Sequence, residues 1–361
     1  MDAPLTKKPR LEWIDAMRGF TMILVVAMHV ATQGFTQEPK YSSSLSLFLL
    51  LRMPLFFFIS GFLSYKANAD WSFRGFSRMV GKKMRIQIIP TVVFFLVFIT
   101  LIHPSTFGSS LVSSLASPMK AGYWFTLTLL YMFIIYYVFE FFEQKLKYQS
   151  CVPILLLWVL SLIFYETCYM PKDFPWAFGA KKGYDGWLNY TSMVQVMIYF
   201  HFFIFGNIVH RYWGKVEKLY DKQGFIFAII VLAFLSSADY ISLHLLKGAW
   251  ANLSQTLARY SLLTLTFLFF RYYQTDFSKD KWLGRGLQYI GTRTLDIYLI
   301  HFLLLPRIPE VGEFFNKHLH NFVVDSTLSF IGGIIVIGFC IVISNTLRIS
   351  PFLKKYLFGR Q

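Results

Sequence analysis

Two side chains of the first apolar segment could take part in chemistry, because one is a fixed cation and the other can carry a proton. Arg18 and His29 are eleven positions apart. At 100° per residue this spacing is within ~20° of three full helical turns, so both side chains project from one face, roughly 16 Å apart along the axis. An intramembrane imidazole can act as a general base or serve as a hydrogen-bonded structural group. The spacing alone leaves both roles open.

Further ionisable groups interrupt the apolar segments at comparable depth. Such groups are costly within a membrane and usually face the bundle interior or a wet cavity. Counted at ~1.5 Å per residue, six of them lie near the middle of the membrane or toward its outer side: His29, Arg52, Glu166, Asp239, Arg259 and His301. We therefore expect one cavity that is reached from the outer face. Separate structural ion pairs, such as Asp15 with Arg18, are the alternative.

The elements that position these residues are predicted to be membrane-spanning helices. The chain has 361 residues, of which 55% are hydrophobic and only 15% charged, whereas soluble domains carry roughly 25% charged residues. A stretch of about 20 apolar residues crosses the hydrocarbon core. Ten stretches satisfy this requirement: 13–35, 44–65, 86–103, 123–142, 151–168, 191–210, 224–242, 253–270, 287–305 and 326–347. We expect a single all-α integral-membrane domain over residues 1–361, a polytopic bundle of about ten transmembrane helices.

Basic residues are distributed unevenly over the predicted connections. If the N-terminus is inside, the inner segments carry 23 of the 35 Lys and Arg residues and the outer segments carry 8. Because positive residues favour the cytoplasmic side, this distribution predicts cytoplasmic N- and C-termini. Topology and anionic lipid headgroups then explain the net charge of +16, and no nucleic-acid partner is expected. The three cysteines form no CxxC or Cys/His pattern, so no metal site is expected.

Five segments of the chain resemble the integral-membrane acyltransferase 3 family. The family's Arg–x10–His pattern is present as Arg18 and His29, and 52–63 contains its Pro–x–Phe–Phe–x–x–Ser–Gly–Phe segment. Residues 82–90 resemble its basic Arg–x–x–Arg stretch, with Lys82 in place of the first Arg. Residues 123–130 and 296–301 match two further segments. The five occur in the family's order over nearly the whole chain.

This resemblance implies that an acyl group, usually acetyl, passes from cytoplasmic acyl-CoA to a hydroxyl of a cell-surface or lipid-linked glycan in the bacterial inner membrane. His29 would be the general base, or else a nucleophile that carries the acyl group. Arg18 would hold the CoA arm or polarise the thioester, and Arg52 would stabilise the oxyanion or bind the acceptor. Glu166 or Asp239 is the candidate to orient His29.

The resemblance also suggests where the two substrates bind. The donor site would comprise basic residues near the cytoplasm: Lys82, Lys83 and Arg85 together with Arg18. The candidates for the acceptor cavity are Glu166, Asp239, Arg259 and His301. Topology alone also predicts a basic inner loop, so the charges of 66–85 have two explanations.

A polytopic transporter or exporter of a glycan or small anionic metabolite is the rival hypothesis. Such a protein would also place polar groups at mid-membrane depth. Transporters more often show internal repeats and Gly/Pro-interrupted helices in matching positions, and neither is evident in the sequence. The expected partners are therefore acyl-CoA, a hydroxylated acceptor and membrane lipids.

Overall fold

The computed structural model describes residues 11–66, 70–146, 150–169, 187–318 and 321–358. These residues form helices joined by short connections, and no strand occurs among them. The all-α prediction is confirmed. In a lipid environment a helix satisfies every backbone polar group within its own segment, which explains why long apolar stretches adopt this structure.

The α-helices are numbered here in chain order over the described residues. They are α1 (Glu12–His29), α2 (Ser43–Ser64), α3 (Phe73–Lys83), α4 (Ile89–Ile102), α5 (Phe107–Ala116), α6 (Phe125–Lys145), α7 (Val152–Phe164), α8 (Trp187–Thr191), α9 (Met193–Arg211), α10 (Trp213–Tyr220), α11 (Gln223–Ala238), α12 (Ala249–Tyr272), α13 (Trp282–Thr292), α14 (Thr294–Leu304), α15 (Pro309–His318), α16 (Phe322–Leu347) and α17 (Pro351–Phe358). Short 3-10 helices cover Pro39–Tyr41, Pro104–Thr106 and Lys120–Gly122.

Several α-helices continue into a π-helical turn. In the described part of the chain these turns are Val30–Gly34, Met84–Ile88, Tyr165–Tyr169 and Asp239–Leu243. The first begins directly after His29 and the second directly after Lys83. Because a π turn changes the rotation per residue, the helix face presented beyond each turn differs from the face before it.

Seven continuous helical segments of the described chain are long and apolar enough to cross a membrane. They are Glu12–Gly34, Ser43–Ser64, Phe73–Ile102, Phe125–Lys145, Met193–Arg211, Gln223–Leu243 and Phe322–Leu347. Val152–Thr167 and Thr294–Leu304 are shorter apolar helices. Helices occupy all ten predicted stretches, whereas the exact number of crossings and their orientation stay predictions.

The predicted stretch 287–305 is not one continuous helix. The chain leaves helical geometry at Arg293, where φ is −115° and ψ is 15°, and this residue separates α13 from α14. The two helices then pack differently: α13 lies mainly against α1, whereas α14 lies mainly against α16 and α4 with a smaller contact to α1. The apolar run over 287–305 continues across Arg293, so hydropathy could not reveal the break.

At some crossings two helices approach so closely that only glycine fits. A Cβ atom on Gly19 would lie 2.0 Å from the carbonyl oxygen of Leu287, where α1 crosses α13. A Cβ atom on Gly61 would lie 1.8 Å from the carbonyl oxygen of Phe203, where α2 crosses α9. Small residues allow such close backbone packing in membrane bundles. These crossings fix α1 and α2, the helices that carry Arg18, His29 and Arg52.

Candidate functional site

A cavity of about 990 Å³ runs along one face of α1 and one face of α2. The α1 face contributes side chains spaced three and four residues apart: Arg18, Met22, Val25 and His29. The α2 face contributes Leu49, Arg52, Met53, Phe56, Ile59, Ser60, Leu63 and Ser64. At ~1.5 Å per residue, the fifteen positions from Leu49 to Ser64 span roughly 22 Å, most of a ~30 Å hydrocarbon core. The cavity is therefore a long slot rather than a surface pit.

One end of the slot is positively charged. Four basic side chains line it there, and we call them the basic end: Lys66, Arg78, Lys82 and Lys83. The Lys83 ammonium lies 3.5 Å from the centroid of the Phe133 ring on α6, a cation–π contact that holds it in the slot. Arg85 is not among the described residues that line the cavity. Within this basic stretch, Lys82 and Lys83 thus line the slot, whereas Arg85 does not.

The helix α3 that carries most of the basic end is attached to α6. The Ser72 hydroxyl caps α3 by accepting a 3.2 Å hydrogen bond from the Gly75 amide. Tyr137 of α6 donates to the carbonyl oxygens of Ser72 and Asp70. Hydrogen bonding from Ser72 also lowers the pKa of the Asp70 carboxyl, so this group supplies a negative charge beside the cations.

Arg18 joins the slot to a neighbouring helix. Its Nη1 lies 3.5 Å from Asp15 Oδ1, and its Nη2 donates a 2.9 Å hydrogen bond to Thr294 Oγ1 on α14. Arg18 therefore forms the ion pair with Asp15 and lines the cavity at the same time. The two contacts hold the guanidinium where both Arg18 and Thr294 line the slot.

His29 lies about three helical turns from Arg18 and contacts two other polar side chains. His29 Nδ1 is 2.9 Å from His301 Nε2, and His29 Nε2 is 3.1 Å from Arg52 Nη1. His301 is fully buried, and its Nδ1 lies 3.0 Å from the Ile297 carbonyl oxygen and 2.9 Å from that of Tyr298. Three of the six predicted polar groups thus meet at one point.

The start of α6 holds α14, and with it His301, in place. The Tyr298 hydroxyl accepts a 3.1 Å hydrogen bond from the Phe125 amide and donates a 3.0 Å bond to the Gly122 carbonyl oxygen. Tyr123 donates a 3.0 Å bond to the Leu299 carbonyl oxygen. Two of the segments distinguished by sequence, 123–130 and 296–301, are therefore in direct contact. Their contact explains why both belong to the same site.

Glu166, Asp239 and Arg259 do not line this slot, and their role in an acceptor cavity stays a prediction. Thr256 donates to Glu166, and Arg259 donates to Tyr165. Asp239 Oδ1 accepts the amides of Leu245 and Leu246 at 2.9 and 3.1 Å and so closes its own turn. Of the described residues that line the cavity, none is Glu166, Asp239 or Arg259. Depth along a helix did not predict the direction in which each side chain points.

The side chain next to His29 Nδ1 is a histidine rather than the expected carboxylate. Neither Glu166 nor Asp239 contacts the imidazole in the described structure, whereas His301 does. His301 does not line the cavity itself. It lies behind His29, on the side of the ring away from Arg52.

Sequence reasoning missed several residues of the slot. Lys66 and Arg78 belong to the same basic loop as Lys82, and the four-residue spacing of Arg78 and Lys82 was the available signal. Tyr199 also lines the cavity, where its ring stacks on Phe57 with centroids 4.9 Å apart. No sequence signal distinguished this aromatic residue from the many others.

Comparison with known proteins gives one match. The family model of an acyltransferase domain, that of the acyltransferase 3 family, matches residues 11–345. This range includes every described residue that lines the cavity. No curated protein and no solved structure matches the chain.

Proposed function

Because the chain belongs to the acyltransferase 3 family and is a membrane acyltransferase, we propose that it moves an acyl group, in the first instance acetyl, from cytoplasmic acyl-CoA to a hydroxyl of a cell-surface or lipid-linked glycan. The supporting observation is the slot, which joins the basic end to His29. A donor held by its phosphates at one end could present its thioester at the other. We place the protein in a bacterial inner membrane, where such donors and acceptors occur on opposite sides.

The basic end suits the phosphates of CoA. Charge-assisted hydrogen bonds from Lys or Arg to phosphate oxygens are among the strongest polar contacts in proteins. Lys82 and Lys83 line the slot and are the first candidates to bind these phosphates. From there the pantetheine arm would pass Arg18 and carry the thioester over the roughly 16 Å to His29.

In the proposed reaction, His29 is the general base. The acceptor hydroxyl takes the place of Arg52 Nη1 at His29 Nε2. The neutral Nε2 then accepts the hydroxyl proton, and the hydroxyl oxygen attacks the thioester carbonyl carbon. Collapse of the tetrahedral intermediate breaks the carbon–sulfur bond, and the proton on His29 passes to the departing CoA sulfur. In a second route, His29 Nε2 itself attacks the thioester carbonyl carbon and the carbon–sulfur bond breaks, which gives acyl-His29 and the CoA thiolate. The acceptor hydroxyl then attacks the acyl carbon, the bond to Nε2 breaks to restore His29, and the hydroxyl proton passes to the CoA thiolate.

Arg52 is placed to stabilise the charge that develops during either route. Its Nη1 contacts His29, while its buried Nε has no hydrogen-bond partner among the described residues. A guanidinium therefore lies beside the proposed base with a donor to spare. Such a preorganised donor stabilises an oxyanion most effectively in a site from which water is excluded.

The test is incubation of the purified protein in detergent or lipid discs with radiolabelled acetyl-CoA and a preparation of surface glycan. We expect transfer of label to the glycan, and loss of that transfer in His29→Ala. His201→Ala is a control, because His201 is a buried histidine of the bundle that bonds to Tyr260 and does not line the slot. Normal transfer by His29→Ala would rule out both routes.

Omission of the acceptor distinguishes the two routes. Label that remains on the protein and requires His29 would support the acyl-histidine route, whereas release of label only with acceptor present would support direct transfer. Transport of the glycan without acetylation would instead favour the exporter. Mass analysis of surface glycans from cells with and without the gene would identify acceptor and acyl group together.

A further inference from the structure

We propose that His301 is a positioning residue that holds His29 in the tautomer able to act as base. This inference rests on the proposed role of His29. It concerns a residue 272 positions away in the chain, whose ring is parallel to that of His29 to within 7°. The two rings and the groups around them form a hydrogen-bonded series with a defined direction.

The direction of the series follows from its buried end. His301 Nδ1 faces two backbone carbonyl oxygens, those of Ile297 and Tyr298. Carbonyl oxygens only accept hydrogen bonds, so the proton of neutral His301 is on Nδ1. His301 Nε2 then has a lone pair, and His29 Nδ1 must donate to it across 2.9 Å.

The same reasoning applies to the other side of His29. With its proton on Nδ1, neutral His29 has its lone pair on Nε2. This atom faces Arg52 Nη1 at 3.1 Å, and a guanidinium can only donate. The contacts on both sides of the ring therefore require the same tautomer, with the basic atom on the side of Arg52. In a catalytic triad, the residue behind the histidine fixes its tautomer in this way.

A neutral residue behind His29 suits the positive charge of Arg52 on the other side of the ring. A carboxylate behind His29 would attract the guanidinium of Arg52 and compete with its interaction with an oxyanion. Neutral His301 accepts the Nδ1 hydrogen bond without adding negative charge. When His29 takes up a proton, the same bond becomes charge-assisted and stabilises the imidazolium.

His301 is itself held rigidly, as a positioning residue must be. Its side chain is fully buried, its Nδ1 contacts two carbonyl oxygens, and the Phe302 ring lies against both imidazoles. Tyr298, three residues earlier in α14, is fixed to the start of α6. Substitution of His301 should therefore change the tautomer and orientation of His29 more than it changes the shape of the cavity.

Two amide substitutions separate positioning from a purely structural role. In His301→Gln the side-chain oxygen reaches the position of Nε2 and can accept the bond from His29. In His301→Asn the shorter amide can still donate to the carbonyl oxygens of α14, but it does not reach His29. We expect His301→Gln to keep kcat within about tenfold of wild type, and His301→Asn to lose about 10²-fold or more, since a misplaced general base costs 10²–10⁴-fold.

The KM for acetyl-CoA should change less than about threefold in both variants, because the donor site is intact. His201→Gln is the matched control for loss of a buried histidine. Thermal stability in detergent verifies that each variant is folded. Wild-type kcat in His301→Asn, or equal losses in His301→Asn and His301→Gln, would overturn the proposal. If His29→Ala is inactive while His301→Asn is normal, only the role of His301 fails. Normal transfer by His29→Ala would reject the proposed role of His29, whereas no transfer by the wild-type protein would reject the proposed function itself.

Discussion

Arg18 donates a 2.9 Å hydrogen bond to Thr294, the first residue of the helix α14 that also carries His301. Eleven residues further along α1, His29 contacts His301. The same two helices thus make two polar contacts, one nearer the basic end and one at the proposed base. Any shift of α14 relative to α1 would disturb both, so the position of the cation and that of the imidazole depend on each other.

Thr294→Val should lower activity while keeping the fold. The substitution is nearly isosteric but removes the acceptor of the Arg18 hydrogen bond. A hydrogen bond to a charged group contributes about 1.5–3 kcal/mol, and we expect roughly a tenfold loss of kcat/KM for acetyl-CoA, since Arg18 can still pair with Asp15. Thr266→Val is a suitable control, because Thr266 bonds only to its own helix. Equal kinetics for Thr294→Val and wild type would contradict the role of this contact.

Arg52→Lys should lose most activity although it retains the positive charge. The ammonium lacks the planar, multiple-donor geometry of the guanidinium, which contacts His29 and leaves a further donor free. Loss of one oxyanion donor costs about 10²–10³-fold in kcat, and we expect a loss of this order. Steady-state acetyl transfer would measure it. Activity of Arg52→Lys close to wild type would show that only charge matters at this position.

Lys82 and Lys83 should matter for donor binding, and Arg85 should matter less. Lys82 and Lys83 line the slot, whereas Arg85 does not. We expect Lys82→Ala/Lys83→Ala to raise the KM for acetyl-CoA about tenfold or more, with a smaller change in kcat. Arg85→Ala is the matched control from the same basic stretch. Equal effects of Arg85→Ala and the double variant would indicate that the loop acts only through its net charge.

The sequence predicted the part of the site that depends on a single helix. The spacing of Arg18 and His29 placed both on one face of α1, and the structure has both in one slot. Membrane depth was a weaker guide, because it left open the direction of Glu166, Asp239 and Arg259. Those directions depend on how α7, α11 and α12 pack, which one helix alone does not determine.

The sequence identified segments that belong to the site but not the contacts between them. The segments 123–130 and 296–301 were recognised separately, but nothing in either indicated that Tyr298 bonds to Phe125. The contact of His29 with His301 likewise spans most of the chain. The break at Arg293 was also hidden, because it depends on how α13 and α14 pack against the rest of the bundle.

Gly122→Ala should impair the site by altering the turn that precedes α6. Gly122 has φ +99°, a conformation that L-residues rarely adopt, and an added Cβ would lie 2.2 Å from the Phe302 ring. Phe302 lies against both His29 and His301. We expect lower thermal stability together with a fall in kcat of about tenfold or more, because a small displacement of a catalytic group is costly. Gly108→Ala is the control, since nothing surrounds Gly108 within 4 Å. Unchanged stability and kcat in Gly122→Ala would show that this turn does not position the histidines.

Gly61→Ala tests whether close packing of α2 against α9 is required to hold Arg52. The new Cβ would lie 1.8 Å from the carbonyl oxygen of Phe203, which is backbone and cannot turn aside. The helices must therefore separate, and overpacking of this kind typically costs about 1–3 kcal/mol. Because Arg52 lies nine residues earlier on the same helix, we expect kcat to fall together with the thermal midpoint. Gly224→Ala, which meets nothing within 4 Å, should leave both unchanged or slightly raise stability. A Gly61→Ala protein with lower stability but wild-type kcat would show that the position of Arg52 does not depend on this crossing.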